Sequence, residues 1–379
     1  MENKIKITML MANLGYTGTP RLMMDVVENI NHKIFDVHVA YKSDFHGIGN
    51  DLLNDLKELG VNVVPLRGKR LFSFNSIIDL YMHIRKDSIQ IIHCWDSLGI
   101  IARFLKIFKK FKLIQTYCNP SIDRGSFLFF WINKISSLFT DSIVFCTKGV
   151  QDDYINKKIV FLKNKYIKII TNCINCNEIK DHSFNQEEIK KRMNINRDDF
   201  ILTNIGYFNE QKGQKYLLRS IELLKNEIKN IKLVLVGWGL LESELKNEVR
   251  ELEIEDNVIF AGKCDRKSVF DILSITDIFV LSSLWEGFGL VLAEAMAFGK
   301  PVVSTINVGS EVVVKENETG LLVPVKDVKA FSDAILSLAQ NPEKRNKFGK
   351  QGIKRVESNF SVGTYINSYT ELYEFIISK

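Results

Sequence analysis

Strand-like runs of β-branched residues alternate with helix-period segments along nearly the whole chain, and this alternation constrains its fold more than any other feature. In the first half KIKITMLM, FDVHVAY, VNVVPL, IQIIHCW, KLIQTY, DSIVFCT and YIKIIT read as strands, most of them followed by an amphipathic stretch such as RLMMDVVENI or NDLLNDLKELG. The second half repeats the plan with DFILTNIG, IKLVLVG, NVIFAG, DIFVLSS and KPVVST, separated by helical patterns such as QKYLLRSIELLKNEI and KSVFDILSI. Strands this apolar fit parallel sheets covered by helices on both faces.

At roughly 150 residues per domain, 379 residues suit two or three domains. The predicted architecture is α/β, with two doubly wound, Rossmann-like domains facing across a cleft. One spans residues 1–180 and the other 190–355, with a terminal helix in 356–379 packing back toward the first. The polar stretch 177–197, rich in Asn, Glu and Lys, reads as the connection. Sheets of this kind place ligands outside the carboxyl ends of their strands.

The net charge of +6 lies in the first half: residues 1–185 carry 25 Lys and Arg against 17 Asp and Glu, the remainder 26 against 28. That surplus suits a phosphate-bearing ligand or an anionic membrane surface. No finger, RNA-recognition or homeodomain pattern accompanies it, so nucleic acid is not an expected partner. Cys173 and Cys176 form a Cys-x-x-Cys pair, but no second pair or His run completes a zinc site, and reduced thiols in a cytoplasmic protein are expected. The start MENKIKITML lacks the pattern of a secretory signal, and no apolar run approaches the roughly 18 residues of a membrane span.

Chemistry concentrates in SSLWEGFGLVLAEAMAFGKPVVS, residues 282–304. A strand ends in a loop punctuated by Gly287 and Gly289. The apolar helix LVLAEAMAF follows, stopped by Gly299 with Pro301 beyond. Glu294 is the one polar residue of that helix. Burying its carboxylate unpaired costs several kcal/mol. Either an internal arginine pairs with it, or ligand hydroxyls donate to it. Glu286 stands in the loop ahead, and the amides of Phe288, Gly289 and Leu290 open a helix N-terminus suited to oxygens and developing negative charge.

EGFGLVLAEAMA resembles the Glu-x7-Glu signature of the retaining, nucleotide-sugar-dependent glycosyltransferases of group one, which have the GT-B fold. IGYFNEQKG (205–213), VGWGLLESEL (236–245), SEVVV (310–314) and ETGLLVP (318–324) resemble further C-terminal segments of that family, and NLGYTGTPRLMMDV its N-terminal glycine loop and first helix. IIHCW, DSIVFCT and IITNCIN resemble later N-terminal strands more loosely. The resemblance implies a nucleoside-diphosphate sugar donor in the C-terminal half and a glycan, lipid-linked or small-molecule acceptor in the other. By the same resemblance Glu294 would hold the ribose, Glu286 with the amides of Phe288 and Gly289 the sugar hydroxyls, and Lys212 the diphosphate. Gly206, Tyr207, Gly237, Lys263, Gly287 and Leu290 would complete the donor site, and Gly18 would approach from the other domain. The catalytic candidates are Glu286, Lys212 and His93, the last being either a sugar or acceptor contact or a satisfied core histidine.

No Asp-x-Asp pair occurs, so no metal or other cofactor is expected and cationic side chains must serve the diphosphate. Three positions depart from the family pattern. Tyr207 stands where an Arg is usual, leaving Lys263 or Arg266 to supply a second charge; Cys118 stands in place of a His; and Asn172-Cys173 stands in place of Asn-Gly. No acid at the N-terminal strand ends offers itself as a base; the resemblance implies retention, with the leaving phosphate taking the acceptor proton. A nucleotide-sugar epimerase or a silent binding member remains the alternative; a dehydrogenase lacks its Gly-x-Gly-x-x-Gly turn. Finally, RFLKIFKKFK (103–112) and SFLFFWINKISSLF (126–139) are either amphipathic helices filling the core or a surface, within residues 103–139, that docks peripherally on the anionic inner membrane face.

Overall fold

The structure is a computed structural model that describes residues 4–15, 17–42, 49–68, 73–95, 98–121, 127–163, 165–180 and 182–379. It divides into two units, Met1–Cys173 with Val362–Lys379, and Ile174–Ser361.

The first unit holds a seven-stranded parallel sheet. Its strands are β1 (Ile5–Met11), β2 (Phe35–Lys42), β3 (Asn62–Leu66), β4 (Ile91–Cys94), β5 (Lys112–Tyr117), β6 (Ser142–Phe145) and β7 (Tyr166–Ile169), in the order β3-β2-β1-β4-β5-β6-β7. The second unit has β8 (Phe200–Ile205), β9 (Ile231–Val236), β10 (Val258–Gly262), β11 (Ile278–Leu281), β12 (Val302–Thr305) and β13 (Gly320–Val323), in the order β10-β9-β8-β11-β12-β13. In each sheet the winding reverses beside the first strand, at β1/β4 and at β8/β11. These are the points where parallel sheets leave a crevice at their carboxyl ends.

Strand β9 shows why the sheets are covered twice. Leu233 and Leu235 pack with Leu217, Leu218, Ile221 and Ile335 on one face. Val234 and Val236 pack with Ile189, Ile272 and Ile275 on the other. With period-two side chains, a strand buried on both sides must be apolar at every position, and IKLVLV is apolar at all but one.

The polar stretch expected to connect the domains belongs to the second unit. Its helix Gln186–Arg192 buries Ile189 against that unit's core, and Ile195 follows it in. Two isoleucines anchor the segment, so the change of unit falls earlier, at Cys173–Ile174, and again at Ser361–Val362. The terminal helix Val362–Ser378 lies with the first unit, burying Tyr365, Tyr369 and Tyr373 at four-residue spacing. All six cysteines are free thiols. Among the described residues, no helix is long and apolar enough to cross a membrane.

Candidate active site

The loops after β8 and β11 are zipped together. The Leu284 amide donates to the Gln211 carbonyl (2.7 Å), the Ser282 hydroxyl to the Lys212 carbonyl (2.9 Å), and the Gln211 side-chain amide to the Trp285 carbonyl (3.1 Å). The short turn Glu210–Lys212 is capped by Asn209, whose side-chain oxygen accepts from the Lys212 amide. This fixes the root of Lys212, and its ammonium lies 2.5 Å from Glu286 Oε1. Glu286 is 6% exposed, and the Ser283 hydroxyl donates to the same oxygen at 2.7 Å. A cation from one strand end and a carboxylate from its neighbour thus meet at the β8/β11 reversal.

Gly287 and the buried Phe288 follow in the loop, and Gly289 caps the helix Leu290–Ala297, so the Phe288, Gly289 and Leu290 amides stand at its N-terminus. Glu294 sits one turn and a half into that helix. Its Oε1 receives Arg266 Nη1 at 2.5 Å, while Arg266 Nε reaches Glu178 at 2.8 Å. Burial works against the Arg266 charge, but the two carboxylates outweigh it and hold the guanidinium above its usual pKa. Of the two readings of Glu294, the pairing with an internal arginine is the one seen, and the partner is Arg266. Arg266 comes from the helix that follows β10, and its ion pairs join that helix to Glu294 and to Glu178 on the helix Cys176–Lys180.

The loop after β9 packs directly on the loop after β8. The Phe208 amide donates to the Trp238 carbonyl at 2.8 Å, and the Leu241 amide to the Phe208 carbonyl at 3.0 Å. Gly237 and Gly239 have φ of 142° and 159°, and a Cβ on Gly239 would lie 2.4 Å from the Phe208 carbonyl oxygen. The Gly-x-Gly is thus demanded by loop-on-loop packing. Gly206 donates to the Val236 carbonyl at 2.9 Å. Tyr207 meets the Trp238 ring edge-on at 5.8 Å, and Lys263 lies over that ring at 5.1 Å. Three strand ends therefore converge on one aromatic surface with a lysine beside it.

The first unit's candidates fare differently. Gly18 begins the helix Gly18–Asn29 after β1. His93 is corrected. It is 0% exposed on β4, with Nδ1 bonded to the Tyr373 hydroxyl and Nε2 to the Thr116 hydroxyl, both at 2.7 Å. Burial depresses its pKa to about 3. Both nitrogens are spoken for in the core, so His93 carries no substrate contact. Cys118 accepts, through its carbonyl, from the Cys146 thiol. Sequence reasoning missed Ser283 and Glu178; the first was signalled only by a hydroxyl three residues before Glu286, and the second by nothing local.

Residues 185–355 match the family described as glycosyl transferases group 1. A relative along the full length is the UDP-Gal:alpha-D-GlcNAc-diphosphoundecaprenol alpha-1,3-galactosyltransferase of Escherichia coli, 24% identical over 100% of this chain and 99% of its own. The C-terminal stretch 185–355 thus matches the group 1 glycosyltransferases, and likeness to a glycosyltransferase extends along the full length. The capsular polysaccharide biosynthesis glycosyltransferase CapM of Staphylococcus aureus is 25% identical to this glycosyltransferase over 90% of each chain. Among solved structures, Anabaena HepE in complex with UDP and glucose superposes with a TM-score of 0.84 at 16% identity, covering 98% of this glycosyltransferase and 99% of HepE. That likeness establishes the GT-B fold.

Proposed function

We propose that this glycosyltransferase moves a sugar from a nucleoside-diphosphate sugar to a glycan, lipid-linked or small-molecule acceptor, with anomeric configuration retained, in the assembly of a cell-surface polysaccharide or glycoconjugate. The observation that carries the reading is the Lys212–Glu286 pair at the β8/β11 reversal, with a helix N-terminus beside it. The galactosyltransferase and capsular relatives, and the UDP bound by HepE, support the same donor class.

Cleavage of the bond between the anomeric carbon and the diphosphate places negative charge on the departing oxygen. Lys212 is the cation for that charge, exchanging Glu286 for the diphosphate, while the Phe288 and Gly289 amides add fixed dipoles. Glu286, still held by Ser283, then accepts hydroxyls of the transferred sugar. Glu294 receives the ribose with Arg266 in place. A carboxylate has about four lone-pair sites, and Arg266 engages one oxygen. Lys263 supplies the second positive charge that Tyr207 cannot. The departing phosphate oxygen takes the acceptor's proton, so the reading needs neither a protein base nor a metal.

A panel of nucleoside-diphosphate sugars followed by thermal shift, then by product analysis, tests this. At a ligand concentration of about 100 times Kd, stabilisation of about 2.7 kcal/mol is expected from the right donor. Proton NMR of the product should show the donor's own anomeric configuration; an inverted product overturns retention. Epimerised sugar without transfer replaces the reading with an epimerase. No response to any nucleotide sugar overturns it outright.

A further inference from the structure

The segment 98–140 sorts its side chains into two sets. The helix Gly99–Leu105 packs beside the helix Phe127–Ser136 and its continuation Ser137–Phe139. Arg103 is the clamp: 2% exposed, it donates from Nε to the Thr140 hydroxyl (3.2 Å) and from Nη2 to the Tyr117 hydroxyl (2.9 Å) and Gln115 Oε1 (3.2 Å). Leu105 and Phe111 complete the core there. So part of this segment is core, as one sequence reading has it. The rest is not.

Phe104, Ile107 and Phe108 turn outward, Ile107 and Phe108 being 54% and 63% exposed. Trp131, Ile135 and Leu138 do the same at helical spacing, the last two 53% and 55% exposed. Two adjacent helices thus present large apolar side chains to solvent, more than scattered surface hydrophobics account for. The charge along the segment is largely of one sign. Residues 98–140 hold seven Lys and Arg, among them Arg103, Lys106, Lys109, Lys110, Lys112 and Lys134, against one acid, Asp123. Of these, Arg103 is internal and Lys106 is paired with Asp141. Lys134 lies 5.1 Å over the Trp131 ring, and Lys110 is exposed. Tryptophan and phenylalanine at a surface, interleaved with lysines that outnumber the acids, match the layer where acyl chains meet anionic headgroups.

We propose that this face docks on an anionic lipid leaflet, its aromatic and aliphatic side chains entering the headgroup boundary while Lys109, Lys110 and Lys134 meet lipid phosphates. The inference stands apart from the donor reading. Co-sedimentation with vesicles of phosphatidylcholine alone, or mixed equally with phosphatidylglycerol, tests it. The chain should pellet with the mixed vesicles and be released by salt. Phe108→Ser with Ile135→Ser, and separately Lys109→Glu with Lys110→Glu, should each weaken partitioning on the order of tenfold. Phe108 and Ile135 are exposed, whereas Lys109 is half-buried over the Tyr81 ring, so the serine variant is the one whose melting temperature and donor-induced shift should stay at wild-type values. A chain that pellets but responds to no nucleoside-diphosphate sugar of the panel keeps this inference and sinks the donor reading; the converse pattern does the reverse. No pelleting, equal pelleting with neutral vesicles, or variants that bind like wild type overturn it. So does a dimer seen by light scattering that the serine variant disperses while vesicles go unbound, which would assign the face to self-association.

Discussion

Lys212 and Glu286 neutralise each other where Glu286 has almost no access to water, so neither can be removed alone without leaving a stranded charge. Lys212→Met should cost about 1–3 kcal/mol of stability, because Ser283 alone then serves the carboxylate. Adding Glu286→Gln should restore most of that loss while donor-induced stabilisation stays absent, and denaturant melts of the two variants check both halves. A double variant no more stable than the single would mean the pair is not coupled in this way. His93 gives a second test, with a definite sign. Its pKa is about 3 when folded against 6.5 unfolded, so the folded state refuses a proton that the unfolded chain accepts. The contribution is complete above pH 6.5 and is lost as pH falls toward 3. Between pH 6 and pH 4 the wild type should therefore lose about 1.4 kcal/mol per pH unit more than His93→Gln; parallel curves would contradict the burial argument. These contacts explain what was legible and what was not. Glu286 and Lys212 stand out through a family-like motif, whereas the partners that decide the state of His93 and Glu294 lie far off in sequence. Tyr373 is 280 residues from His93 and Arg266 is 28 from Glu294, and no local period encodes either pairing.

The helix Leu290–Ala297 is too short and too apolar to stand by itself, and it is held from behind by the helix Pro342–Asn359. The approach is close. A Cβ on Gly349 would lie 2.0 Å from the Gly299 carbonyl oxygen, a backbone atom with no rotamer to yield. Gly349→Ala should push the two helices apart, costing about 1–3 kcal/mol by overpacking, and should weaken donor binding by displacing Glu294 without touching ligand. An unchanged melting temperature would show that the contact has slack. This level of the structure was the most legible in the sequence, since every strand read from β-branched runs coincides with a strand of the fold. Gln186–Arg192, by contrast, reads as linker because two isoleucines in a charged stretch give too little periodic signal to mark a helix.

At the scale of the whole molecule, the chain leaves the first unit at Cys173 and returns at Val362, so that unit is closed by residues from both ends of the sequence. The returning helix is not an appendage. Tyr365, Tyr369 and Tyr373 are 2%, 1% and 0% exposed, and the Tyr373 hydroxyl satisfies the buried imidazole of His93. Without that helix the unit would expose three tyrosines' worth of apolar surface and strand a buried polar group, losses that exceed the few kcal/mol by which domains are stable. Residues 174–361 have no such debt, being one continuous stretch with its own two-faced sheet. Expressed alone, that stretch should melt cooperatively and still gain stability from the donor, because every residue proposed to hold the donor except Gly18 lies within it. Residues 1–173 alone should lack a cooperative transition, and regain one when Val362–Lys379 is fused to them through a flexible linker. A stably folded 1–173 fragment would mean that β1–β7 and their own helices suffice, and that the C-terminal tyrosines are dispensable.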